Sequence, residues 1–114
     1  MKKAIALIAA GLFLGIGLLA SFGAVPALAQ GKQIFDNNCS MCHGKDGRGN
    51  GPASASFHPK PKDFHKASFW QGNVKDKITD TIENGHGPMP AISLNQSQIK
   101  EVIKYMEQAF KPKS

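Results

Sequence analysis

The chain has 114 residues and a formal net charge of +6, with two cysteines and a single arginine, Arg48. This length fits one domain, and the scattered lysines disfavour nucleic-acid binding, which uses clustered basic residues. The lysine excess fits solubility as well as docking on an acidic protein surface.

The amino terminus has the pattern of a secretory signal peptide. Lys2 and Lys3 precede an uninterrupted apolar run over residues 4–20, and Ala27-Leu28-Ala29 is a small-x-small cleavage site. We therefore predict a signal peptide at residues 1–29, export to the periplasm, and a mature domain at residues 30–114. The alternative is a retained anchor facing the periplasm, because the run approaches the ~20 residues that span a bilayer.

Loss of Lys2 and Lys3 would leave 12 basic and 8 acidic residues, a formal charge of +4. A mature chain of 85 residues has a small core of its own. A flat apolar cofactor would enlarge that core.

Residues 39–43, Cys-Ser-Met-Cys-His, form the C-x-x-C-H pattern of c-type haem attachment. Cys39 and Cys42 can each add to one vinyl group of the porphyrin, and His43 can then coordinate the iron. The motif predicts one covalently bound haem c. A redox disulfide is an alternative, but it is expected beside a βαβ pattern. A zinc site would need a second ligand pair, which the sequence lacks.

The segments around this motif favour helices and loops. Residues 31–38 read as a short helix that leads into the motif. Residues 44–73 show no sustained period and are rich in glycine and proline, which predicts a long loop. Its aromatic residues suit wrapping of a flat apolar group, and residues 67–71 can form one helical turn.

Two further helices complete the prediction. Residues 73–84 have Asn73 as the N-cap and Gly85 at the end. Asn95 and Gln98 form a variant of the capping box, and an apolar stripe at helical spacing follows them: Ile99, Val102, Ile103, Met106 and Phe110. No segment reads as a strand. The expected fold class is all-α, with three to four short helices and a long loop around the haem.

Six side chains are candidates for the second axial position of the iron: Met41, Met89, Met106, His58, His65 and His86. Met89 is favoured because Pro88 and Pro90 restrict the backbone on either side. His86, three residues away, is its rival. Met41 lies inside the attachment loop, and Met106 falls on the apolar stripe, where methionine usually fills a core.

The order of these elements, from residue 30 to residue 110, resembles the small bacterial class I c-type cytochromes. The resemblance implies the class I cytochrome c fold, in which the first and last helices cross near the haem. Gly31, Phe35 and Tyr105 occupy the positions of that crossing.

The same resemblance implies roles for two site residues. The carbonyl of Pro52 is expected to accept a hydrogen bond from Nδ1–H of His43 and so to orient the imidazole. Met89 is expected to be the distal ligand. The segment 59–64 is not shared by all members of the family, and no role is carried onto it.

A His/Met pair would leave no open coordination position for a substrate. The expected function is therefore an electron carrier, not an enzyme, that cycles Fe(III) and Fe(II) between redox donor and acceptor proteins. Those partners would carry acidic docking surfaces, and membrane contact would occur only through them unless the N-terminal segment is retained. The alternative is a haem-based gas sensor or haem enzyme component, with an open or histidine-ligated distal site.

Overall fold

The computed structural model describes residues 26–114, together with Gly11, Gly15 and Gly17. The rest of the predicted signal peptide up to residue 25 lies outside the described residues. Within the described part, the chain forms four α-helices: α1 (Ala27–Asn38), α2 (Ser40–His43), α3 (Val74–Asn84) and α4 (Gln96–Phe110). Residues 26–114 contain no strand, which confirms the all-α prediction. Among the described helices, none has the length and apolar character needed to cross a membrane.

Helix α1 begins earlier than predicted. It starts at Ala27, with Pro26 at the N-cap, rather than at Gly31. Alanine, leucine and glutamine are good helix formers, so residues 27–30 extend the helix by one turn. The predicted cleavage after Ala29 would therefore remove part of the first turn of α1.

Helices α1 and α4 cross at a glycine, as the resemblance implies. A Cβ atom at Gly31 would overlap the carbonyl oxygen of Glu101 and would lie 2.8 Å from Cβ of Tyr105. One turn later, Phe35 is fully buried, with its ring centroid 5.7 Å from that of Tyr105 and 5.0 Å from that of Phe110. The crossing fixes the aromatic end of the core.

Helix α3 begins one residue after the predicted start, and α4 begins directly after its predicted N-cap Asn95 and ends at Phe110, the last residue of the predicted apolar stripe. The capping box of α4 is complete, because Gln98 N–H donates to Asn95 Oδ1 and Asn95 N–H donates to Gln98 Oε1, both at 2.9 Å. Asn73 occupies the N-cap of α3 without a side-chain hydrogen bond, and Gly85 ends that helix with a φ of +76°.

The long loop at residues 44–73 is ordered by hydrogen bonds rather than by periodic structure. It contains two 3₁₀ turns, Ser54–Ser56 and Ala67–Trp70, the second of which agrees with the predicted helical turn. Its first part folds back on the attachment motif: Gly49 N–H donates to the His43 carbonyl at 2.7 Å and Gly51 N–H to the Cys42 carbonyl at 3.0 Å. The loop thereby closes one side of the site.

Candidate haem site

An apolar cavity of about 620 Å³ lies between the attachment motif, the long loop, and helices α3 and α4. Cys39, Cys42 and His43 line it from the motif, and Met89 lines it from the loop between α3 and α4. The volume is within the range of small-molecule and cofactor sites, which are mostly apolar with a few placed polar groups. The remaining wall is largely hydrophobic and includes Phe35, Phe57, Phe64, Phe69, Val74, Ile78, Ile82, Val102 and Met106.

The imidazole of His43 is held in place by a backbone carbonyl. Its side chain is buried, and Nδ1 lies 3.1 Å from the carbonyl oxygen of Lys62. A carbonyl can only accept, so Nδ1 carries the proton and Nε2 keeps its lone pair for a metal. Burial lowers the pKa of His43, against the raising effect of the hydrogen bond to Lys62.

The expected role of Pro52 is wrong. The acceptor for His43 is the Lys62 carbonyl, and Pro52 is exposed. The physical reason is the path of the loop, since Gly51 N–H and Ala53 N–H donate to the carbonyls of Cys42 and Met41 at 3.0 and 2.9 Å. These two bonds fasten the residues on either side of Pro52 to the backbone of the attachment motif, and the imidazole is met by a later segment of the loop.

Cys39 and Cys42 are each half-buried, and no disulfide joins them. Burial, with a smaller contribution from the charge of Cys42, raises the pKa of the Cys39 thiol to about 12. Redox-active cysteines have the opposite property, a lowered pKa that favours the thiolate. Residues 26–114 also contain no group of three or more His, Cys, Asp or Glu side chains that could hold a metal ion. The spacing of the two cysteines and His43, rather than the thiol pKa, is what favours thioether formation.

The turn that carries Met89 is short and hydrogen-bonded. His86 N–H donates to the Met89 carbonyl and Met89 N–H to the His86 carbonyl, each at 3.0 Å. Gly87, with a φ of +54°, allows the chain to reverse between them. Met89 is half-buried and His86 is exposed, although both line the cavity.

The other ligand candidates lie elsewhere or serve the core. Met41 is 62% exposed, and His65 Nε2 lies 2.6 Å from the carbonyl oxygen of Asp46. His58 is exposed and is not part of the described cavity wall. Met106 does line the cavity, but it is buried on the apolar stripe of α4. Thus Met89 and His86 remain the candidates that a loop presents to the cavity.

The residues present fit a covalently held haem. Two thiols at the attachment spacing, a neutral imidazole with a free Nε2, a thioether and an apolar wall are the donor set and surroundings of a c-type haem.

Comparison with known proteins agrees with this chemistry. The family described as Cytochrome c matches residues 28–110. Cytochrome c6 of Euglena viridis is 35% identical over 78 residues, which cover 67% of this chain and 85% of that protein. The Cbb3-type cytochrome c oxidase subunit FixP of Azorhizobium caulinodans is 34% identical over 87 residues, or 74% of this chain but only 28% of that subunit. A solved structure, the KustC0563 c-type cytochrome, superposes with a TM-score of 0.60 at 20% identity, covering 72% of this chain and 98% of that one, and shows the shared fold.

The fold and the site together define a small class I c-type cytochrome. The chain belongs to the cytochrome c family. Its cofactor is covalently attached haem c, and its role is haem-based electron transfer between redox partner proteins.

Proposed function

We propose that this protein is a periplasmic carrier of single electrons in which Cys39 and Cys42 bond the haem and His43 and Met89 ligate its iron. The observation that carries the proposal is the shared cavity: the three motif residues and Met89 line the same apolar space. When bound, haem c supplies reversible Fe(III)/Fe(II) chemistry, and a methionine ligand raises its potential relative to a second histidine.

The chain's own residues favour a carrier over an enzyme. His43 is fixed by its bond to the Lys62 carbonyl, and Met89 sits on a turn closed by two backbone hydrogen bonds. If His43 and Met89 both ligate the iron of a bound haem, no coordination position would remain for a substrate. A haem held against this largely apolar wall would be shielded from water on that side, which would reduce the rearrangement that accompanies electron exchange.

Covalent attachment is tested by acid–organic extraction of the denatured protein, after which the haem should stay with the polypeptide. Cys39→Ala and Cys42→Ala should each leave at most one thioether and much less holoprotein. Ser40→Ala is the matched control, because Ser40 lies between the cysteines and its hydroxyl donates to the Asp36 carbonyl at 2.6 Å. Haem that extracts freely from the native protein would contradict the proposal.

A second candidate function has one observation in its favour. His86 lines the same cavity as Met89, so a histidine-ligated or open distal site would suit a gas sensor or haem enzyme component. Ligand-binding measurements on the native protein separate it from the carrier.

Export also belongs to this proposal. Its support is Lys2-Lys3, the apolar run and Ala27-Leu28-Ala29, and Leu28 is 38% exposed at the start of α1. The intact mass of the native protein should correspond to residues 30–114 plus one haem. A mass that retains residues 1–29, found in the membrane fraction, would identify the segment as an anchor.

Docking on acidic partners is proposed at a basic cleft beside the haem cavity. We define this cleft by four cationic residues that line it: Arg48, Lys60, Lys62 and Lys66. Asp63 is the acidic residue in its wall, and Lys60 and Lys62 also line the haem cavity. A carboxylate-rich partner surface would be complementary here and would approach the edge of the cofactor.

The cleft makes the electron-transfer rate sensitive to salt. The bimolecular rate with the redox partner should fall as ionic strength rises, because charges further apart than the ~10 Å Debye length at 0.1 M are screened. Lys66→Glu should slow the reaction at low salt, whereas Lys100→Glu, on the exposed side of α4, should have a smaller effect. A rate that is independent of salt would assign the lysines to solubility alone.

A further inference from the structure

The segment 59–64 contacts the imidazole of His43 at two places. The Lys62 carbonyl oxygen lies 3.1 Å from Nδ1. The Phe64 ring stacks on the imidazole, with centroids 4.5 Å apart and planes inclined by 22°. One contact restrains the edge of the imidazole, and the other restrains its face.

Phe64 is itself fixed in place. Its N–H donates to the Gly47 carbonyl at 2.8 Å, and its carbonyl accepts from Trp70 Nε1 at 2.7 Å. Its side chain is only 6% exposed and packs against the rings of Phe35 and Phe69. The stacked ring is therefore part of the core, and it cannot swing away from His43 without disrupting that packing.

Gly49 sets how closely the segment approaches. Its φ is +77°, and a Cβ atom there would overlap the carbonyl oxygen of Pro61 and lie 3.3 Å from that of Lys62. Gly49 N–H also donates to the His43 carbonyl at 2.7 Å. Gly49 thus contacts both His43 and the loop segment that carries the hydrogen-bond acceptor of His43.

We propose that Phe64 and Gly49 are positioning residues for His43: Phe64 covers one face of the imidazole, and Gly49 sets how closely the Lys62 carbonyl approaches its edge, so that together they would hold the ring in one orientation and tune the reduction potential of a bound haem. The proposal rests on His43 as the proximal ligand. A hydrogen bond to Nδ1–H increases the basicity of a ligating imidazole, and a more basic ligand favours Fe(III) over Fe(II). Loss of the Phe64 ring, or displacement of the Lys62 carbonyl, should weaken the hydrogen bond to Nδ1–H of His43 and raise the reduction potential.

The first test compares Phe64→Leu with Tyr105→Leu in the haem-bearing protein. Both remove an aromatic ring that packs against Phe35, but Phe64 stacks on His43, whereas Tyr105 is not part of the cavity wall. Exchange of the His43 Nδ1–H with solvent, followed by NMR in the reduced protein, should accelerate roughly two- to tenfold in Phe64→Leu, the factor that corresponds to one aromatic contact. The potential should rise in the same variant. Tyr105→Leu should change neither, and Phe64→Tyr, which keeps the ring, should leave both close to their native values.

The second test compares Gly49→Ala with Gly72→Ala. Both glycines have positive φ, +77° and +65°, but an added Cβ at Gly72 meets no atom within 4 Å. Backbone strain is therefore matched, and only Gly49→Ala should accelerate Nδ1–H exchange and raise the potential.

A third measurement needs no variant: the reduced wild-type protein should show nuclear Overhauser contacts between the ring protons of Phe64 and His43. Their absence would overturn the proposal, as would Phe64→Leu and Gly49→Ala variants that match their controls in exchange rate and potential. Failure of the proposed function looks different, because the wild-type protein would then lack covalent haem or histidine ligation altogether.

Discussion

The two proposed iron ligands differ in how firmly the chain holds them. His43 is 9% exposed and is restrained on one edge and one face. Met89 is half-buried on a four-residue turn closed by two backbone hydrogen bonds. We infer that the distal ligand is the weaker of the two and is the residue on which the carrier function depends.

Met89→Ala should abolish the weak long-wavelength sulfur-to-Fe(III) absorption band of the oxidised protein. It should also lower the reduction potential, because a soft ligand that favours Fe(II) is lost. The measurements are near-infrared absorption and a redox titration.

His86→Ala is the matched control for that prediction, since His86 lies on the same turn and lines the same cavity. It should leave the band and the potential close to those of the native protein. The reverse pattern, with no sulfur band in the native protein and loss of low-spin ligation only in His86→Ala, would make His86 the distal ligand.

At the residue scale, the sequence predicts side-chain chemistry better than backbone chemistry. The spacing of the C-x-x-C-H motif predicts haem attachment, and the neighbouring prolines favour Met89 among the candidates for the distal ligand. The sequence could not identify the Lys62 carbonyl as the hydrogen-bond acceptor of His43, because every residue has a carbonyl and the path of the loop decides which one meets the imidazole. Phe64 was visible as an aromatic residue, but its stacking on His43 depends on hydrogen bonds to Gly47 and Trp70.

The crossing of α1 and α4 is the principal contact between elements around the site. Gly31→Ala places a methyl group against the Glu101 carbonyl and the Tyr105 side chain. Overpacking costs about 1–3 kcal/mol, and the upper part of that range, about 2–3 kcal/mol, applies because the overlap is with a backbone carbonyl oxygen. Improved helix propensity offsets about 1 kcal/mol of it. The haem-bearing protein should therefore lose about 1–2 kcal/mol in its free energy of unfolding, measured with denaturant.

Gln33→Ala is the control for the crossing, because Gln33 is exposed on the same helix. It should change the free energy of unfolding by less than about 0.5 kcal/mol, as surface substitutions usually do. If the free energy of unfolding of Gly31→Ala equalled that of Gln33→Ala, the close approach of α1 and α4 at Gly31 would not contribute to stability.

The capping box makes a separate prediction for α4. Asn95→Ala removes the acceptor for Gln98 N–H and should cost about 1 kcal/mol of stability. Ser97→Ala is the control, because Ser97 is exposed in the first turn of α4. Equal stability of the two variants in denaturant unfolding would contradict a role for the cap.

The start and end of a helix could be predicted from the sequence where the helix has both an apolar stripe at helical spacing and an N-cap residue. Helices α3 and α4 have both: α3 begins one residue after its predicted start, and α4 begins directly after Asn95. Helix α1 was predicted too short because Ala27-Leu28-Ala29 suits a cleavage site and a helical turn equally well. The loop at residues 44–73 has no period, and its conformation comes from backbone bonds to the attachment motif, which local sequence does not encode.

For the whole molecule, the cofactor cavity and the hydrophobic core are continuous. Phe35, Phe64 and Val102 are buried core residues that also line the cavity. Every major helix contributes to that wall, so a bound haem would complete a core that a short chain builds only in part. Fold and function therefore depend on the same apolar surface.

We propose that side chains of this chain fill both axial positions of the haem iron, which would make the protein a carrier of electrons. Carbon monoxide binding by the reduced native protein tests it most directly, because the gas binds only where a position is open or easily vacated. Carbon monoxide should cause no change in the absorption spectrum of the reduced native protein and should bind readily to Met89→Ala. Ready binding by the native protein would contradict the carrier function and point to a sensor or an enzyme.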